Sequence, residues 1–354
     1  MKNKKQKIIN RRRFIKGLLM AVGGISSLSI LNITLSKAGN NTTESMEANK
    51  GFEPAYLALH RNGELKNRYL TLREMMVDCK LCPRECRVNR LKGEEGVCGS
   101  TSTLKISSFH PHFGEESPLV GNNGSGTIFF THCGLLCVFC INADISHGGQ
   151  GNVSTVNDLA RMMMTLQKMG CHNINVVTPT HYSPHILEAL GIAAKQGLRL
   201  PVAYNTHGWE RIEILKILDG VIDIYLADFK YTKSSMAGKY SAGAYSYPAI
   251  TKEALIEMNR QVGVAIPNKQ GILERGLIIR HLVMPNGTSG SIEAMRWISE
   301  NLPKDTYINV MSQYTPMHKA FDYPEIARRI TRAEYNEVVD AAKLFGLTNL
   351  DIQG

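Results

Sequence analysis

Three cysteines within eight residues, Cys133-x3-Cys137-x2-Cys140, limit what this chain can be more than any other feature. Three thiols cannot all pair with one another, and bridges between neighbours this close are strained. A structural zinc ion asks for four ligands, whereas an iron–sulfur cluster held by three thiolates keeps one iron open to another molecule. The triplet directly follows the β-branched run Thr127–Thr131, which places it in a loop at the C-terminal end of a strand. Four more cysteines form a second group, Cys79-x2-Cys82-x3-Cys86-x11-Cys98, among the turn formers Pro83, Gly93, Gly96 and Gly99. Four thiolates can close a zinc site or hold a second iron–sulfur cluster, and two disulfides are the remaining alternative. Cys171, beside His172, stands alone and reads as structural.

The formal charge is +10, but nine lysines and arginines and no acid lie in residues 1–38, so the rest of the chain is close to neutral. A neutral body gives no electrostatic case for a nucleic-acid partner. Asn10-Arg11-Arg12-Arg13-Phe14-Ile15-Lys16, the apolar run to Leu35 and the small residues about Lys37 have the order of a signal peptide. The paired arginines resemble the twin-arginine export motif, which delivers folded proteins. Export by that route is the expectation. The alternatives are a cytoplasmic protein or one anchored by an uncleaved segment, the only membrane contact the sequence suggests. Residues 39–55 read as a solvated linker.

After residue 120, short β-branched runs alternate with longer amphipathic ones. Strands are expected at Thr127–Thr131, Asn173–Thr178, Pro201–Asn205, Ile222–Phe229, Leu277–Met284 and Tyr307–Ser312. Helices are expected from Thr155, where Asp158 completes a capping box, and from near Pro184, Trp209, Lys252, Ser291 and Thr331. Strand–helix alternation implies a parallel α/β sheet, either open and doubly wound or a six-unit partial barrel, with ligands at the C-terminal strand ends. Gly148-Gly149-Gln150-Gly151 lies too near the cysteine loop to open a phosphate-binding helix.

Cys-Gly-Leu-Leu-Cys-Val-Phe-Cys at 133–140 resembles the CxxxCxxC loop of radical S-adenosylmethionine enzymes, including the aromatic residue before the last cysteine. The chain is most similar to the branch of the pyruvate formate-lyase activating enzyme. The carriers are Cys-Lys-Leu-Cys-Pro-Arg-Glu-Cys-Arg-Val-Asn-Arg (79–90), Val-Thr-Pro-Thr-His (177–181), Ile-Tyr-Leu-Ala-Asp-Phe-Lys-Tyr (224–231) and Ser-Gln-Tyr (312–314). The resemblance implies a partial (β/α)6 TIM-like barrel at 121–350 with a small Cys-rich module at 71–120, after a signal at 1–38 and an extension at 39–70. It also implies a 4Fe-4S cluster on Cys133, Cys137 and Cys140, bound S-adenosyl-L-methionine, and a 5′-deoxyadenosyl radical that abstracts hydrogen.

Polar residues at later strand ends are then expected around the pocket. Thr178, Thr180, His181, Asn205 and Gln313 would hold the cofactor, with Asp228 and Lys230 at the reaction; His207, Arg280 and His281 lie nearby. On a strand Asp228 and Lys230 share a side, and the competing reading is a surface ion pair. Where many family members have a Gly-Gly-Glu-like segment for the cofactor's amino group, this chain has Val-Thr-Pro-Thr-His. The partners implied are an electron donor and a protein substrate such as a glycyl-radical enzyme. The alternative function is an exported, non-catalytic iron–sulfur or zinc protein serving electron transfer or structure.

Overall fold

The structure, a computed structural model, describes residues 51–352. The twin-arginine-like signal and most of the expected linker lie outside the described residues. Strands β1 (Lys105–His112), β2 (Ser125–Phe130), β3 (Asn152–Val153), β4 (Ile174–Val177), β5 (Val202–Thr206), β6 (Ile224–Asp228), β7 (Gly276–Leu282), β8 (Tyr307–Met311) and β9 (Leu350–Ile352) form one sheet in the order β3-β1-β2-β4-β5-β6-β7-β8-β9. From β2 to β9 every pairing is parallel; β1 runs antiparallel to both β2 and β3. All six expected strands are present, displaced by a residue or two at their ends.

Helices fill the crossovers. After the N-terminal α1 (Tyr56–Arg61) and α2 (Glu64–Glu74) come α3 (Val156–Lys168), α4 (Ser183–Lys195), α5 (Ile212–Leu218), α6 (Ser234–Tyr240), α7 (Tyr247–Val262), α8 (Ser291–Asn301) and α9 (Arg332–Leu344). The α3 start has the physics expected of it. The Thr155 hydroxyl accepts from the Asp158 amide at 3.1 Å while the Asp158 carboxylate accepts from the Thr155 amide at 2.8 Å. Its face of Leu159, Met163 and Leu166 is fully buried. Pro184 occupies the first turn of α4, where a missing N–H costs nothing. β5 is buried along its whole length, as expected of a parallel strand covered on both faces.

The sheet curls into a partial barrel. Asn175 on β4 donates to Glu115 at 3.1 Å, and Asn309 on β8 donates to Glu116 at 2.8 Å. Four strand spacings separate β4 from β8, about 19 Å on a flat sheet. Their inward side chains reach two adjacent glutamates because the strands wrap around that pair. β3 and β9 remain the two ends of the sheet order, so the barrel is open.

Within the expected extension (39–70) and the first residues of the expected Cys-rich module (71–120), α1 and α2 are formed, and α2 packs against α4. The Ala55 amide is held by Asp223 at 2.9 Å and Arg68 donates to the Ile217 carbonyl at 2.9 Å. β1, which falls within the expected 71–120 module, is a strand of the main sheet. With only Ile106 and Phe109 as large apolar residues among Lys105, Ser107, Ser108, His110 and His112, β1 gives a weak apolar signal, and pairing with β2 supplies what hydropathy does not. Among the described residues no helix is long and apolar enough to cross a membrane.

Candidate functional site

A cavity of about 550 Å³ lies inside the barrel, walled by the loop after β2 and by the C-terminal halves of the strands. Cys133, Cys137 and Cys140 all line it. Left-handed backbone at His132 (φ 68°) and Leu136 (φ 54°) folds the loop back on itself. The Leu135 amide approaches Cys133 Sγ at 3.4 Å, the Ser241 hydroxyl donates to Cys137 Sγ at 3.3 Å, and Ser146 Oγ lies 3.1 Å from Cys140 Sγ. Burial pushes the Cys133 thiol up to about 12 and the Cys137 thiol up to about 11, so without a bound cation both are uncharged at neutral pH.

These observations fit an iron–sulfur cluster. Three sulfurs face one cavity, each has a hydrogen-bonding neighbour that would share its charge, and the loop provides no fourth sulfur. Phe139 packs edge-on against Tyr231 and Tyr314 and closes the loop against the core. All eight cysteines are free thiols.

The first cysteine group abuts this loop. Cys82 Sγ lies 3.5 Å from where a Cβ on Gly134 would stand. Arg84 donates to the carbonyls of Gly134 (2.8 Å), Ser241 (3.0 Å) and Ala242 (2.6 Å), and its guanidinium stacks on Trp209. Arg90, fully buried, donates to His181 O (2.8 Å) and Ser100 Oγ (2.9 Å) and so anchors the Cys79–Cys98 segment to the barrel. Among the described residues no three His, Cys, Asp or Glu side chains form a group that would hold a single metal ion, and a zinc ion at Cys79, Cys82, Cys86 and Cys98 has no support.

Asp228 and Lys230 meet at 2.7 Å on the cavity wall, both mostly buried. The strand alternation that puts them on one side puts them inside, and they are not a surface pair. Tyr247 fixes the turn between them, its hydroxyl donating toward Asp228 O (3.0 Å) and accepting from the Lys230 amide (2.9 Å). Asp228 favours the charged form of Lys230 and raises it above the usual lysine range against the opposing effect of burial.

Chain comparisons give the molecule a family. Over 284 residues it is 32% identical to the uncharacterized protein MJ0674 of Methanocaldococcus jannaschii, covering 78% of this chain and 76% of that one. The chain belongs to the family of that archaeal protein. No protein-family model matches it. Among solved structures, methylornithine synthase (PylB) aligns with a TM-score of 0.40 and 14% identity over 62% of this chain and 67% of that one.

The other expected pocket residues divide. Thr178, Asn205, His207, Arg280 and Gln313 line the cavity. Thr180 and His181 are not among its lining residues. One residue past the turn at Thr178 (φ 57°) the chain enters a helical turn, which carries both into the wall. The Thr180 hydroxyl donates to buried Glu210 at 2.6 Å, and the His181 ring lies 2.8 Å from Thr131 O. His281 alternates outward from β7 to Phe229 O and Ser291. Glu115, Glu116 and Asn309, which line the cavity, escaped the sequence reading. A lone Asn inside the apolar strand Tyr-Ile-Asn-Val-Met was the available signal.

Proposed function

We propose that this protein is a radical S-adenosylmethionine enzyme whose 4Fe-4S cluster is held by Cys133, Cys137 and Cys140. The observation that carries the reading is the convergence of these three thiols on one wall of a cavity at the C-terminal strand ends of a partial βα barrel. When bound, the cluster and S-adenosylmethionine supply one-electron cleavage of the sulfonium and abstraction of a hydrogen atom from substrate. The chain's own residues position and shield. Thr178, Asn205 and Gln313 offer hydroxyl and amide contacts to the cofactor, Phe139, Leu282 and Met311 exclude water, and Lys230 lends positive charge near Cys137. Asp228, held by Lys230, faces the same space and serves the reacting groups.

On this reading the chain acts as the pyruvate formate-lyase activating enzyme branch does, on a protein substrate such as a glycyl-radical enzyme, with electrons from a partner donor. Cys79, Cys82, Cys86 and Cys98 hold a second iron–sulfur cluster beside the first, and the N-terminal signal exports the folded protein. The test is anaerobic reconstitution of the full chain with iron and sulfide, reduction, and addition of S-adenosylmethionine. A brown cluster and 5′-deoxyadenosine are expected. Cluster assembly without 5′-deoxyadenosine overturns the radical reading and favours electron transfer.

A further inference from the structure

Beneath the cysteine loop, the inside of the barrel is rich in hydrogen-bond acceptors and short of donors. Glu116 takes two hydrogen bonds from Arg280, at 2.7 and 2.6 Å, and a third from Asn309 at 2.8 Å. Glu115 pairs with the same guanidinium and accepts from Asn175 at 3.1 Å. One arginine thus serves two carboxylates, and around the cavity Glu115, Glu116, Asp228 and Asp351 face only Lys230 and Arg280. Pairing Asp228 with Lys230 and Glu116 with Arg280 leaves Glu115 and Asp351 in excess, and of these only Glu115 lies in the Arg280 cluster.

A second observation points to what completes the site. Asn309 lines the cavity and is 4% exposed; its Nδ2 is committed to Glu116, which fixes the amide's orientation, and its Oδ1 has no partner. Asn175 repeats the pattern, with its amide nitrogen on Glu115 and a buried Oδ1 left open. A buried acceptor without a donor is costly. A hydroxyl would satisfy Asn309 but not the excess charge, and a carboxylate would be repelled.

We infer that the substrate entering this barrel carries a primary ammonium or guanidinium group, received between the Glu115 carboxylate and the Asn309 side-chain carbonyl. The word substrate rests on the radical reading; the cation site rests on the geometry alone. Glu116, held by Arg280, fixes the Asn309 amide with its Oδ1 left open for that cation.

The test is titration of the full chain, near neutral pH, with n-butylamine and n-butylguanidine against n-butanol and butyrate, followed by calorimetry or ligand-observed NMR. The two cations are expected to bind saturably and the other two not. Glu115→Gln, checked for folding by circular dichroism, is expected to weaken the cations about tenfold or more. Asn309→Ala tests the same site independently and should weaken them several-fold. Cations binding no better than n-butanol, indifference to both variants, or one-for-one displacement of the cation by S-adenosylmethionine overturns the inference, the last by assigning Glu115 to the cofactor's own ammonium. Cation binding with no 5′-deoxyadenosine formation upholds the site and overturns the radical reading instead.

Discussion

Cys137 illustrates how one side chain can depend on what it binds. Its thiol is buried, its sulfur accepts from Ser241, and Lys230 lies close enough to favour the thiolate. Removing it leaves two thiols, so Cys137→Ala is expected to reconstitute without the brown absorbance of the cluster, losing about four irons per chain by iron analysis. Glu210 makes a separate point about pH. Burial raises its carboxyl to about 7 from an ordinary 4.5, although Thr180 and Thr206 both donate to it. The folded protein therefore keeps a proton that the unfolded chain gives up, and stability falls as pH rises from about 4.5 to 7, then levels. Glu210→Gln should flatten that part of the profile, by up to roughly 3 kcal/mol. Equal melting-temperature differences between pH 5 and pH 8 in variant and parent would show Glu210 already ionised in the fold.

Among the elements, α3 and the loop after β2 are stabilised differently. The α3 cap is local, two reciprocal hydrogen bonds between Thr155 and Asp158. Thr155→Ala is expected to cost about 1 kcal/mol, read as a drop of a few degrees in melting temperature with no change in cluster content. The cysteine loop depends on a residue fifty positions away: Arg84 crosses to Gly134 and to Ser241 and Ala242, joining its own segment to two others. Arg84→Met keeps the apolar stem over Trp209 and removes the donors. Circular dichroism should be unchanged while the reconstituted cluster content falls by half or more; full content would show that the loop holds its shape unaided. Capping was legible because its signal spans four residues. The α1–α2 pair was not, because its buried residues, Tyr56, Leu57, Leu65 and Leu72, are too sparse to stand out as an amphipathic stripe.

At the scale of the whole molecule, the cysteine segment 79–98 and the barrel are joined through Arg84 and Arg90, so metal bound in either cysteine group acts on the stability of the other. Stripping iron from the reconstituted protein with a chelator should lower the melting temperature by several degrees. The decrease should be smaller in Cys82→Ser if the first group also holds iron. Equal decreases would leave that group without a metal.

The sequence by itself determined where six parallel strands lie along the chain, the cap of α3, the triplet Cys133, Cys137 and Cys140, and the shared side of Asp228 and Lys230. Each is written in spacings of two to eight residues, and local backbone geometry converts such spacings directly into position. Only the tertiary structure decided that Thr180 and His181 turn into the wall, that β1 joins the main sheet, and that Glu115, Glu116, Asn175, Arg280 and Asn309 meet. Those five come from segments up to 194 residues apart in the numbering, and no local pattern encodes the meeting. Closure of the curved sheet brings them together, and burial then imposes the pairing that makes their charges tolerable.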